Sequence, residues 1–285
     1  MLDQLPASDR HIAGTLSLPA MAGLLDEAER LTEQAFLTLG DRIEDGHRQA
    51  LELVDLAARL LRGGAGDEVP RLQQHAGQLA GNFAELVAAL QFQDITRQRM
   101  EHVRAALAEL LGGGAAAAAA LAGVCRLQFD QLQAACGDFL QALERIDARL
   151  EGMAAAVEAL VDATCAALSM SAVAGDELFQ RFDRKAAGLG DALRAARGGT
   201  SLRSAFLARV VPVLAGLEAM AEESAGLLQP DADSRVLGGL AARYTMMSER
   251  DIHRRFVEGE ERPPRRDEPA ADAGGHGLGS NVELF

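Results

Sequence analysis

Leu90-Gln91-Phe92-Gln93-Asp94-Ile95-Thr96-Arg97-Gln98-Arg99-Met100 divides its side chains between two faces of a helix. Placed on a wheel at about 100° per residue, it and its continuation gather Phe92, Ile95, Met100, Val103, Leu107 and Leu110 on one broad side. Asp94 and Gln98 fall on the other side, among Gln91, Arg97, Glu101 and Arg104. Such a division predicts a helix half sunk in a core. It leaves a carboxylate and an amide one turn apart, facing water.

Working toward the N-terminus, this helix extends back to about Val69, with Pro70 in its first turn, and forward to Leu111. Gly63-Gly64-Ala65-Gly66-Asp67 stops the helix before it, which starts near Pro19, ends near Arg62 and repeats Leu24, Leu25, Ala28, Leu31, Ala35 and Leu39 at helical steps. Gly40 and Gly46 weaken it locally. So short a connection between long helices predicts an antiparallel hairpin over residues 19–111, each arm about 60 Å long at the helical rise. Residues 1–18 carry Pro6, Gly14 and Pro19 with little periodicity and read as a flexible arm.

Toward the C-terminus, Gly112-Gly113-Gly114 breaks the pattern, and Ala115 to Ala120 either starts a new helix or forms a linker. Helical periodicity runs through Leu127, Phe129, Leu132, Phe139, Leu140, Leu143, Ile146, Leu150, Val157, Leu160 and Val161, with an interruption at Ser169 to Asp176. A further helix covers Glu177 to Arg197. A second hairpin has arms Ser201 to Leu228, bent at Pro212, and Asp233 to Glu258, with Gln229-Pro230-Asp231-Ala232 as its turn. No stretch alternates with the two-residue period of a strand. The expectation is an all-α chain whose long antiparallel hairpins form an elongated four-helix-type bundle, residues 115–258 packing with 19–111.

Residues 259–285 turn to Glu, Arg, Pro, Asp and Gly, too polar to order themselves. The last nine regain apolar side chains in Leu278, Val282, Leu284 and Phe285. The reading is a disordered tether with an apolar tip that docks on a partner, or else a frayed terminus.

Composition narrows the function. A formal charge of −14, with Lys185 the one lysine among 285 residues, argues against a grip on nucleic acid or anionic lipid. The most apolar run, Gly112 to Cys125, is too short to span a bilayer, so no membrane insertion and a cytoplasmic location are expected. Cys125, Cys136 and Cys165 match no metal spacing and read as small core residues. The six histidines, among them His102 and His253, show no ligand spacing, so no metal site is expected.

By spacing alone, Asp94 and Gln98 are an ordinary pair on a helix surface. Phe92-Gln93-Asp94-Ile95-Thr96-Arg97-Gln98, however, resembles the active-site helix motif of the CheZ family of chemotaxis phosphatases, Phe-Gln-Asp-Leu-Thr-x-Gln on a long helical hairpin. The resemblance implies a phosphorylated CheY-like receiver domain as partner. Asp94 would engage that domain's active-site lysine, and Gln98 would orient the water that attacks the aspartyl-phosphate. Gln91, Arg97 and Glu101, with the tip residues Leu278, Val282, Leu284 and Phe285, would contact the partner. No cofactor would be bound by this chain, since the receiver supplies Mg²⁺. The chemistry is consistent, because an acyl phosphate is already activated and needs little beyond a positioned water.

The chain departs from that pattern in three ways. Arg97 stands where the family usually has Gly, the tail matches the family's receiver-binding peptide loosely, and the chain is longer. Aligning His102 with His253 sets Asp94, Gln98 and Arg99 opposite Thr245, Glu249 and Arg250. Only the Arg and His agree, so the halves are either a degenerate duplication or alike by chance. A duplication would make a monomeric pseudo-dimer; otherwise the family's homodimer is expected. The competing function is a non-enzymatic helical adaptor that binds receiver domains or chemoreceptor arrays.

Overall fold

The structure, a computed structural model, describes residues 16–60, 68–112, 120–169, 177–197, 199–225 and 230–258. Among them every regular element is helical: α1 (Leu18–Leu60), α2 (Glu68–Leu90), α3 (Phe92–Gly112), α4 (Leu121–Ser169), α5 (Glu177–Ala196), α6 (Gly199–Glu223), α7 (Pro230–Ala241) and α8 (Met247–Glu258). The expected all-α class is what the chain adopts. The arm up to residue 15, most of the alanine run and the tail from residue 259 lie outside the described residues.

Helix α1 illustrates how the sequence makes these rods. Its buried positions Met21, Leu25, Ala28, Thr32, Phe36, Ile43, Ala50, Leu53 and Ala57 recur at three, four and seven residues, a seam close to the heptad period. Of the apolar residues expected to form that stripe, Leu25 and Ala28 are buried, whereas Leu24, Leu31, Ala35 and Leu39 flank it half-buried. The bulk of Phe36 and Ile43 takes the centre instead. Thr32 is tolerated inside because its hydroxyl donates to the Glu29 carbonyl at 2.8 Å. The helix runs unbroken through Gly40 and Gly46, and the Phe83 ring packs at Gly46, 3.5 Å from where a Cβ would stand, an ordinary contact.

Two boundaries differ from the sequence reading. The helix expected over 69–111 is two helices, α2 and α3, separated by a turn at Gln91. The arm expected over 233–258 is likewise α7 and α8, separated by Ala242–Met246, where Tyr244 leaves the helix and buries its ring to 3% exposure. Pro230 does not sit in a turn but opens α7, the position where its missing N–H costs nothing.

The chain divides into two compact units. Unit one comprises the described residues of Met1–Asp26, Arg97–Cys136 and Arg209–Phe285; unit two comprises those of Glu27–Thr96 and Gly137–Ala208. In unit two, the Phe139 ring on α4 meets Phe206 on α6 at 4.2 Å and Phe36 on α1 at 6.0 Å. Along α1, Gly40 lies by Leu90, and His47 sets its ring edge-on to Phe83 at 4.9 Å. Arg42 donates to the Ala195 carbonyl at 3.0 Å, and Glu52 pairs with Lys185. Along α4, Glu144 pairs with Arg203, Arg149 with Glu85 and Glu151 with Arg197. These ion pairs are exposed and add little stability; the aliphatic and Phe core carries it.

In unit one, Ala106, Ala120, Val124, Leu127, Leu237, Leu240 and Tyr244 form a core cluster, with Leu110, Val236, Ile252 and Phe256 packed against it. Gly216 on α6 leaves room for Met21 of α1, which a Cβ there would strike. Cys125 and Cys136 are buried, and burial pushes the Cys125 thiol up to about 12, so it acts as a small core residue. One stretch, Glu177–Glu223, is long and apolar enough by length and composition to cross a bilayer. It spans α5 and α6, whose Phe182, Leu189, Leu193 and Phe206 are buried in unit two, and core helices pass the same test.

Because Phe139 joins two other rings at the centre of unit two, Phe139→Ala is expected to cost about 3–5 kcal/mol in equilibrium denaturation. A loss below about 1 kcal/mol would contradict the central place given to that ring.

Candidate functional site

Helix α3 starts immediately after the turn at Gln91, so the motif lies on its first two turns. The Asp94 N–H donates to the Gln91 carbonyl at 3.3 Å, the tight closure common at a helix start. Asp94 occupies the first turn, where the helix dipole favours a carboxylate. Nothing local announces the break, since Gln91 has neither the fixed φ of proline nor the freedom of glycine. The Thr96 hydroxyl donates back to the Phe92 carbonyl at 3.2 Å, a bond that tends to bend a helix.

Burial orders the side chains of α3 by face. Thr96, Met100, Val103, Ala106 and Leu107 are buried, and Phe92, Ile95 and Leu110 half-buried. Asp94 and Gln91 are exposed, while Gln98, Arg97 and Glu101 are half-buried, as Phe92 and Ile95 are. Asp94 is therefore outward as expected, and Gln98 less so. Arg97 does not project freely: its Nη1 donates to Glu101 Oε1 at 2.9 Å, one turn on. The tip residues Leu278, Val282, Leu284 and Phe285 lie outside the described residues.

A second cluster, which sequence reasoning did not single out as a site, lies within unit one. Glu249 on α8 is 1% exposed, and its Oε1 accepts from His102 Nδ1 on α3 at 2.8 Å. Its Oε2 faces the Met246 N–H at 3.5 Å, the reach-back of a capping box at the start of α8. Gln131 on α4 donates to the Glu249 carbonyl at 2.8 Å, and Gln128 donates to the Tyr244 hydroxyl at 3.2 Å. Arg99 donates to Ser248 at 2.7 Å, and Arg250 to the Tyr244 carbonyl at 3.0 Å. The Tyr244 ring lies 6.1 Å from His102 and 5.6 Å from His253.

The electrostatics of this cluster follow from those contacts. The hydrogen bond from His102 to Glu249 raises the His102 pKa above its ordinary value, against the opposing effect of burial, and the charges of Glu249 and Glu101 add to the rise. Burial lowers that of His253, whose Nε2 is buried without a hydrogen-bond partner among the described residues. Burial pushes the Tyr244 hydroxyl up to about 12. The alignment of His102 with His253 picked out Arg99, Glu249, Arg250 and His253 but gave no sign that Arg99, Glu249 and His253 are interior. The available signal was the four-residue step from Glu249 to His253, continued by Phe256, which puts a carboxylate on the inner face of α8.

The two clusters differ chemically. Exposed Asp94 and half-buried Gln98 offer a carboxylate acceptor and an amide that can both donate and accept, one turn apart on α3. In the inner cluster the Glu249 carboxylate accepts from His102 and caps α8, while Gln128 Oε1, Gln131 Oε1 and His253 Nε2 are buried without a hydrogen-bond partner among the described residues. Among the described residues no three His, Cys, Asp or Glu side chains gather as a metal site. Compared with known protein families, with curated proteins and with solved structures, the chain finds no match in any of the three.

Stability should separate the clusters. Glu249→Ala strands a half-buried imidazole and a cap, with an expected cost of about 2 kcal/mol or more in thermal or denaturant unfolding. Asp94→Ala should cost below about 1 kcal/mol, the scale of a first-turn carboxylate. Equal losses would contradict the division into an inner and an outer cluster.

Proposed function

We propose that this chain is a protein phosphatase that docks the Asp94–Gln98 face of α3 on a phosphorylated CheY-like receiver domain and hydrolyses its aspartyl-phosphate. The observation that carries the reading is the motif's placement. Asp94 and Gln98 stand one turn apart on the first turns of a helix whose other side is buried by Met100, Val103 and Leu107. Asp94, the more exposed, contacts the partner's lysine. Gln98, held closer to the helix surface, presents its amide to a water in line with the phosphorus–oxygen bond. The receiver's Mg²⁺ neutralises the charge that develops on the phosphoryl oxygens. This chain then contributes orientation and no covalent step.

The fold fits the same proposal. In unit two, rising numbers on one helix meet falling numbers on its neighbour: Gly40 and Gly46 meet Leu90 and Phe83, while Arg42 and Glu52 meet Ala195 and Lys185. Phe139, Glu144 and Glu151 meet Phe206, Arg203 and Arg197 in the same sense. That order supports antiparallel neighbours in a four-helix bundle, the architecture a CheZ-like protein uses to display its motif. We place the protein in the cytoplasm, with the receiver, in chemotaxis or a related two-component pathway.

One observation favours the second reading, a receiver-binding adaptor without hydrolysis. Arg97 stands where the resembling family has Gly, and its ion pair with Glu101 adds bulk beside Gln98.

Decay of a receiver phosphorylated with acetyl phosphate decides between them. The phosphatase reading expects the chain to accelerate decay and Gln98→Ala to remove at least about 90% of the acceleration, a barrier change of roughly 1.4 kcal/mol. Binding without acceleration supports the adaptor, and neither binding nor acceleration removes both. Deleting residues 277–285 should weaken receiver binding far more than it lowers saturated turnover, as expected of a tether; unchanged affinity would remove the tether role.

A further inference from the structure

The inner cluster has no part in the proposed hydrolysis, yet it ties the last described helix to the helix that carries the motif. His102 follows Gln98 by one turn on α3. Glu249, 1% exposed, receives the His102 Nδ1–H at 2.8 Å. Arg99 and Gln131 hold the neighbouring Ser248 hydroxyl and Glu249 carbonyl at 2.7 Å and 2.8 Å. The first turn of α8 is thus fixed from α3 and α4 by polar contacts with a carboxylate at their centre. A carboxylate out of water is expensive unless a cation or several donors meet it. Of the groups that contact the Glu249 side chain among the described residues, His102 is the one whose charge changes near neutral pH.

We propose that His102 and Glu249 form a pH-sensitive latch that fixes the start of α8 to α3, tight when His102 is an imidazolium and loosened when it is neutral. The groups that act on His102 are Glu249 on α8 and Glu101 on α3 itself, with the Tyr244 ring 6.1 Å away. Glu249 and Glu101 both favour the cation, and their effect raises the pKa. The latch is therefore complete below the ordinary histidine value of about 6.5 and is lost as pH rises through the elevated folded value. His253, on the far side of Tyr244, works in the opposite sense: burial keeps it neutral, so the unfolded chain gains protons first as pH falls below about 6.5. The two histidines bracket a weakly acidic to neutral range in which α8 is held most firmly. This inference goes beyond the phosphatase reading and does not rest on it.

Hydrogen exchange of the full chain between pH 6 and pH 9, corrected for the chemical rate, tests the latch. Protection of Ser248–Glu258 amides should fall relative to those of α5 as pH rises through the raised His102 value. His102→Gln should remove that pH dependence, leaving α5 unchanged. Nuclear magnetic resonance titration of the unsubstituted chain reads the same group directly and should give His102 a midpoint above 6.5. Constant α8 protection across the range, a pH dependence that survives in His102→Gln, or a His102 midpoint at or below 6.5 would each overturn the latch.

Discussion

The rotation of α3 about its own axis is set by what it must bury, and the placement of every candidate residue depends on that rotation. Met100, Val103, Ala106 and Leu107 are each 1% exposed or less. Turning the helix far enough to hide Asp94 would bring those four toward water, at about 1.5–3 kcal/mol for each large side chain. Asp94 is outward because Thr96, Met100 and Val103, on the opposite side of the helix, are inward. The break at Gln91 acts with this constraint: by starting a new helix there, the chain gives Asp94 a first-turn position that favours its charge.

The same helix also carries a polar interior edge. Arg99 and His102 reach Ser248 and Glu249 at the beginning of α8, and Tyr244 packs beside them with its hydroxyl bonded to Gln128. An interior of this kind is costly where its members are unpaired, so its stability rests on the contacts made by His102, Ser248, Glu249 and Tyr244. It also explains the interruption between α7 and α8. Tyr244 can bury its ring, and Met246 can offer its N–H to Glu249, only if the helix ends and begins again.

Much of the fold was legible in the sequence because strong helix formers at three- and four-residue steps admit few other readings. Glycine-rich stops marked most of the helix ends, and the outward side of α3 followed from its apolar stripe. What could not be read were features set by tertiary contacts. The α1 stripe centres on Phe36 and Ile43 because bulk wins the seam. Gly46 packs against Phe83 within an unbroken helix. The breaks at Gln91 and at Ala242–Met246 carry no Pro or Gly. The burial of Glu249 was hidden because a carboxylate between Ser and Arg reads as surface until its partners, 147 and 118 residues away, are in place. Asp94 and Gln98 were found through a seven-residue resemblance, since their spacing alone is common on surface helices.

The proposed function requires a receiver domain to dock on the face of α3 that carries Asp94 and Gln98. Amide chemical-shift mapping of the full chain, with a beryllofluoride-activated CheY-like receiver added, tests that docking. Perturbations are expected to concentrate at Gln91 to Glu101, with α5 amides unaffected. A receiver that binds while leaving those amides unmoved would contradict it.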